Sequence, residues 1–278
     1  MDFWNIMYLF HFKDGIISIR VNNVVREKQM IRKIKSLLFA PTDIYNNEVL
    51  YHKSGKIMYE GSMKGSNFHG FGKYYNEEGK LCYEGPFVMG LSHGKGIAYL
   101  EDGIIYEGAF HKGQRTGKGT CKFPDGSYYE GQFINGFMEG RGKLHAKNGT
   151  LYEGNFLKNR MQGAGTVYYP NGDIYTGEFR DGLETGIGKL QVKDGIYEGE
   201  VLAGIPHGKG YFTWENGGIY RGDFHDGCMT GKGVITYPNG HKYIGEFKNG
   251  LKHGKGIYQN EHGKQYEGTF IEDIAQEN

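Results

Sequence analysis

Proline is scarce in this chain, at six of 278 residues, and cysteine is scarcer, at three. Cys82, Cys121 and Cys228 are odd in number and form no C-x-x-C pair, which argues against a disulfide framework or a thiolate zinc site and for a reducing compartment. So little proline excludes the collagen triple helix and the Pro/Gly-rich disordered class. Charge of one sign is missing as well: 33 Lys and Arg against 32 Asp and Glu leave a net +1. A near-neutral chain has no global field to gather nucleic acid, so no nucleic-acid partner is expected. Long apolar runs are absent too. The opening stretch from Phe3 to Phe12 contains His11, follows Asp2, and lacks a basic start and a small-residue cleavage site. Neither a signal peptide nor a transmembrane span is expected from it.

Glycine, by contrast, fills 48 of 278 positions, about 17% against an average near 7%. Tyrosine (22) and phenylalanine (17) bring the aromatic share to 15%, too high for a chain that stays unfolded. These residues recur together. Tyr-x-Gly begins at Tyr59, Tyr83, Tyr106, Tyr129, Tyr152, Tyr175, Tyr197, Tyr220, Tyr243 and Tyr266, with spacings of 22 to 24 residues. Four residues after most of these tyrosines stands Phe, with Met63 and Val201 as exceptions. A Gly-x-Gly follows nine times, from Gly70-Phe71-Gly72 to Gly254-Lys255-Gly256, and each unit closes in a turn such as Pro124-Asp125-Gly126. A fixed period of this length marks stacked supersecondary units.

Each unit reads as a β-hairpin, because Asn-Gly and Asp-Gly between alternating segments favour tight turns. With period two, Tyr129, Gly131 and Phe133 share one face, and so do Gly140 and Gly142 of the return strand. Glycines on that face leave space for an aromatic ring from a neighbouring strand, which offsets their entropic cost. The same anchors recur as Tyr83, Gly85, Phe87, Gly94 and Gly96.

The motif Tyr-Glu-Gly-x-Phe-x-x-Gly-x-x-His-Gly-x-Gly resembles the MORN (membrane occupation and recognition nexus) repeat, and Tyr83 to Gly96 carries every position of it. The resemblance covers residues 51–278 in ten copies. It implies an all-β, elongated, twisted array of hairpins used for assembly, not catalysis. At about 4.8 Å per strand, twenty strands would extend on the order of 90 Å. Met63, Val201 and the shortened turn Lys193-Asp194-Gly195 weaken the first and seventh copies, and the tenth is expected to stop after Phe270 without a return strand.

Residues 1–50 do not repeat and are expected to cap the array. Phe10-His11-Phe12, Lys13-Asp14-Gly15 and Ile16 to Val21 suggest one degenerate hairpin covering the first sheet edge. Residues 24–39 read as a basic amphipathic helix, in which Arg26, Lys28, Arg32, Lys33 and Lys35 offer contacts to a partner or an anionic membrane.

Signatures of chemistry are few. His69, His93, His207 and His253 occupy equivalent places, but the same place elsewhere holds Thr116, Glu139, Gln162, Thr185 and Thr230, so no three- or four-ligand cluster and no metal site is expected. Gly113-Gln114-Arg115-Thr116-Gly117-Lys118-Gly119 is one residue short of a phosphate loop and lacks its Ser or Thr. No catalytic residues and no cofactor are expected. MORN arrays also occur fused to lipid kinases and to a lysine methyltransferase, but no such domain is present here.

On the face away from Tyr and Phe, the residue after the tyrosine is Glu in seven of ten copies, and the residue inside Gly-x-Gly is Lys or Arg in six of nine. These acidic and basic rows are expected to neutralise one another across strands. The residue before the tyrosine is Ile105, Tyr128, Leu151, Ile174, Ile196 and Ile219 in six successive copies, a candidate partner-binding stripe. The leading expectation is a non-enzymatic scaffold that binds other proteins, through an elongated helix or extended segment, and associates with itself through terminal repeats. The resemblance implies a cytoplasmic, cytoskeletal or ciliary (axonemal) setting. The alternatives are a membrane-associated adaptor holding anionic phospholipid, or a regulatory subunit of an enzyme absent from this chain.

Overall fold

The computed structural model describes residues 7–12, 15–20 and 46–276. The chain divides into two compact units, at Asn46 and Asn47. In the first, Met7–Phe12 and Gly15–Arg20 pair antiparallel, with Phe12 opposite Gly15, as a separate two-stranded sheet. The helix expected over 24–39, and with it Arg26, Lys28, Arg32, Lys33 and Lys35, lies outside the described residues.

The second unit is an antiparallel meander of 22 strands, from Asn46–Tyr51 to Ile274–Ala275, following one another in sequence order. Two kinds of turn alternate along it. One kind is a two-residue turn after the Tyr/Phe strand, such as Asn135-Gly136, with φ of 50° and 88°. Positive φ at both central residues gives a type I′ turn, whose twist matches that of the flanking strands and which Asn-Gly adopts at least cost. The other kind joins successive hairpins. At Pro124-Asp125-Gly126 the Phe123 N–H donates to Ser127 O (2.9 Å), the Gly126 N–H donates to Phe123 O (3.0 Å), and Gly126 takes φ 92°.

The two glycines of each Gly-x-Gly serve different ends. The second is paired in register with the glycine of the Tyr-x-Gly strand on either side, as in Gly119↔Gly131↔Gly142↔Gly154↔Gly165, and such pairs recur from Gly61↔Gly72 to Gly256↔Gly268. Over this spine lie the tyrosine rings. A Cβ on Gly165 would stand 2.5 Å from Tyr152 Cε2, and one on Gly142 would clash with Cε2 and the hydroxyl of Tyr129. Each ring covers the glycine of its own strand as well as that of the neighbour, which extends the expected arrangement.

The first glycine is not under a ring, contrary to the sequence reading. Between Gly131↔Gly142 and Phe133↔Met138 the return strand carries three residues against one, a β-bulge, and Gly140 sits in it at φ 76°. Gly94 (φ 65°) and Gly117 (φ 60°) do the same in their copies. Backbone conformation, not ring packing, demands glycine there.

Tyr and Phe then stack into a ladder. Tyr129 meets Phe133 of its own hairpin (5.3 Å, 85°) and Phe156 of the next (4.8 Å, 77°), edge to face, and the pattern repeats along the sheet. Tyr129 is fully buried, and its hydroxyl donates to Gln132 O at 3.0 Å, so burying the phenol leaves no donor unpaired. Exceptions are repaired locally. Where Met63 replaces Phe, Phe68 opposite it stacks flat on Tyr59 (3.9 Å, 5°). Val201 is buried, and the short turn at Lys193-Asp194 keeps register, with Val192 opposite Gly195. The tenth copy does have a return strand, a correction to the expectation: Ile274–Ala275 pairs with Ile271 and Phe270. It holds only two residues, which explains its invisibility as a repeat.

Candidate functional site

Alternation places the residues flanking each core tyrosine on the opposite face, and that face carries three parallel rows. The first is the row before the tyrosine. Ile105 and Ile219 are exposed, whereas Tyr128, Leu151, Ile174 and Ile196 are half-buried. Register sets another residue between each pair of them: Lys122 between Ile105 and Tyr128, His145 between Tyr128 and Leu151, Tyr168 between Leu151 and Ile174, Gln191 and Thr213 further on. The stripe is therefore interrupted by polar side chains at its ends. It is continuous over Tyr128, His145, Leu151, Tyr168 and Ile174, where His145 stacks on Tyr128 (4.2 Å, 8°).

The second row is an open trough over the glycine spine. Its largest section, about 930 Å³, is lined by Glu107, Lys118, Glu130, Arg141 and Lys143 among others, and it continues past Thr176 and Ile187 toward Lys209. The charges pair differently from the expectation. Glu153 and Glu198 meet Lys143 (2.6 Å) and Lys189 (3.0 Å), which follow Gly-x-Gly and do not lie inside it. Glu153 raises the Lys143 ammonium above its usual range through their hydrogen bond, and the Tyr211 hydroxyl and Lys189 hold Glu198 below the usual carboxylate range. The cations inside Gly-x-Gly have other partners. Lys95, Lys118 and Arg141 stand opposite Ala109, Gln132 and Asn155, whereas Lys209 and Lys232 stand opposite Asp223 and Glu246. Cations without an acid directly opposite thus stand at Lys95, Lys118 and Arg141, and matched pairs at Lys209 and Lys232, while Lys255, opposite Thr269, is again without one.

The third row was not singled out in the sequence. It lies at the type I′ turns, where the residue after Phe pairs with the first residue of the return strand. Val88↔Leu91, Ile134↔Phe137 and Leu202↔Ile205 are exposed apolar pairs, with Ile134 48% and Leu202 56% accessible. The turn itself was the available signal. The row is hidden because polar residues share the position, as in His111↔Gln114 and His225↔Cys228.

On the Tyr/Phe face, partly buried side chains such as Met138, Leu144 and Tyr169 pack against the ladder. An open cavity of about 610 Å³ lies there near Phe87, Phe110 and Arg115, whose guanidinium covers the Tyr106 ring at 5.5 Å. Among the described residues, no helix is long and apolar enough to cross a membrane.

The TCP10 domain of Danio rerio CPAP, solved with a peptide of Danio rerio STIL, is 11% identical over 82% of this chain and 99% of that chain, with a TM-score of 0.40. The TCP domain of Drosophila melanogaster SAS-4 (dCPAP), solved with a proline-rich motif of Ana2 (dSTIL), is 15% identical over 64% of this chain and 85% of that one, with a TM-score of 0.28. No curated protein matches significantly. The family model described as MORN repeat matches nine successive segments, from 59–79 through 129–151 to 243–260, each beginning at a core tyrosine. With repeat boundaries, ring ladder and glycine spine in agreement, the chain belongs to the MORN-repeat family.

Proposed function

We propose that this protein is a non-enzymatic scaffold that seats an elongated protein segment, helical or extended, along the charged trough. The observation that supports this reading most is the trough's cross-section: a polar floor with cations at Lys95, Lys118 and Arg141, flanked on one side by the Tyr128–Leu151–Ile174 row and on the other by the exposed turn pairs. Apolar rims supply burial, and charges set register and direction. Cations lacking an acid directly opposite favour a segment bearing acidic side chains at its leading half. The setting implied by the resemblance to the family makes a cytoskeletal or ciliary assembly the working context.

Reversing charge tests it. Lys118→Glu with Arg141→Glu, both exposed, should leave thermal unfolding within about 1 kcal/mol of the parent, since surface changes of this kind are usually small. Capture of partners from native extract should fall sharply. Undiminished capture by the folded variant would remove the trough from the account.

A further inference from the structure

Histidines at different places in the repeat meet across neighbouring strands. Strands Ile205–Trp214 and Ile219–His225 are in register through Gly208↔Phe224, so His207 and His225, one residue further on, are cross-strand neighbours on one face. Their ring centroids lie 5.0 Å apart. The next residue, Asp226, begins the type I′ turn at φ 47°, and its carboxylate reaches to 3.3 Å from His225 Nδ1. One nitrogen of each imidazole and one oxygen of Asp226 lie within 4.8 Å of one another, and this is the one such trio found among the described residues. On the far side of the same turn Cys228, an exposed free thiol, stands opposite His225 in register.

We propose that His207, His225 and Asp226, with the Cys228 thiolate as fourth ligand, bind one zinc ion. Two neutral imidazoles, a carboxylate and a thiolate form a donor set suited to tetrahedral Zn²⁺ and poorly suited to Mg²⁺ or Ca²⁺, which take oxygen. Bonds of about 2.0–2.3 Å place tetrahedral donors roughly 3.4 Å apart, so the two imidazoles and the Asp226 carboxylate must close by a little over 1 Å, and the Cys228 sulfur, which lies outside that group of three, must swing in further. His225, Asp226 and Cys228 are exposed and free to rotate, whereas His207 is half-buried and its carbonyl accepts from the core Tyr197 hydroxyl at 3.4 Å. The bound ion joins two successive hairpins through three strands.

The repeat supplies its own control. His93 and His111 occupy the corresponding places five copies earlier, with ring centroids also 5.0 Å apart. There the residue after His111 is Lys112, and the residue opposite His111 is Gln114. A lysine ammonium offers no lone pair and repels a cation, so the same imidazole pair lacks both anionic ligands.

The experiment titrates the full chain, stripped of metal, with Co²⁺ as a spectroscopic stand-in for Zn²⁺. One equivalent should develop visible bands of tetrahedral cobalt and a thiolate-to-cobalt charge-transfer band, and Zn²⁺ should bleach both. Asp226→Lys, which copies the other pair, should weaken binding about 100-fold, and His225→Ala more, with circular dichroism unchanged. Cys228→Ser should abolish the charge-transfer band, and His93→Ala should leave the titration as it is. A Co²⁺ spectrum that survives His225→Ala, or no saturable binding in the folded parent, would overturn the site. A charge-transfer band persisting in Cys228→Ser would overturn the fourth ligand.

Discussion

The Tyr129 ring lies over Gly142 on the adjacent strand, so close that the first carbon of any side chain there would clash with ring atom Cε2 and with the phenol hydroxyl. This contact, repeated copy by copy, ties the glycine excess to the aromatic excess. Gly142→Ala should therefore destabilise the array by about 3 kcal/mol, at the upper end of the range for overpacking, and Gly142→Val by more. The coupling is directly measurable. In a Tyr129→Ala background Gly142→Ala should lose most of its separate cost, giving an interaction energy of about 1–3 kcal/mol in a double-mutant cycle. Additive effects in urea unfolding would contradict the contact.

Gly140 answers to another rule. Its φ of 76° favours glycine, then asparagine, and the neighbour a Cβ would meet is the mobile end of Gln132. Gly140→Ala should cost about 1–2 kcal/mol and Gly140→Asn distinctly less. Asparagine at Gly142 should bring no such relief. Equal costs for Ala and Asn at Gly140 would show that packing, not backbone, selects glycine there.

Alkali should unfold the array through its tyrosines. Burial pushes nine core phenols, Tyr59 through Tyr243, up to about 12 from a usual value of 10. A group whose pKa is raised by folding contributes stability that is complete below the unfolded pKa and is lost as pH rises through the folded one. Stability should hold to about pH 10 and decline between pH 10 and 12. Tyrosinate absorbance should show these nine core phenols ionising only as circular dichroism is lost. Ionisation of the core tyrosines near pH 10 in a still folded chain would contradict the burial.

Much of this was legible in the sequence, and the illegible parts share a cause. Tyr129, Gly131 and Phe133 announce their common face because they lie on one strand, two residues apart. Gly140 looked identical to Gly142, since a bulge is a property of two strands in register and leaves no mark in either alone. Ile134 and Phe137 form an exposed pair only once the intervening turn is known to be two residues long. His207 and His225 belong to successive hairpins, at different places in the repeat, and only strand pairing brings them together. The Ile105–Ile219 stripe was visible, but the residues interposed across strands, Lys122 and Gln191 among them, were not.

The exposed ion pairs are expected to matter for recognition more than for stability. Lys143 and Glu153 lie 2.6 Å apart, yet their side chains retain 51% and 36% of their accessibility. Lys143→Ala should leave the urea midpoint close to that of the parent, because exposed ion pairs contribute little to stability. A larger loss in thermal or urea unfolding would mean that the charged floor also holds the sheet together.

The proposed docking face is tested most directly by lysine-reactive cross-linking of the intact protein in native extract, followed by mass spectrometry. Lys95 and Lys118 line the trough, whereas Lys252 lies on the Tyr/Phe face, near the Tyr243 ring at 5.7 Å, with its side chain 17% accessible. Cross-links from one partner should fall on Lys95, Lys118 and Lys143 in the order of its own sequence, as for a segment lying lengthwise, and should vanish when Leu91, Ile134 and Leu202 are all replaced by Ser. Links that avoid these lysines, or that persist at full strength in the folded triple variant, would contradict the trough as the binding surface.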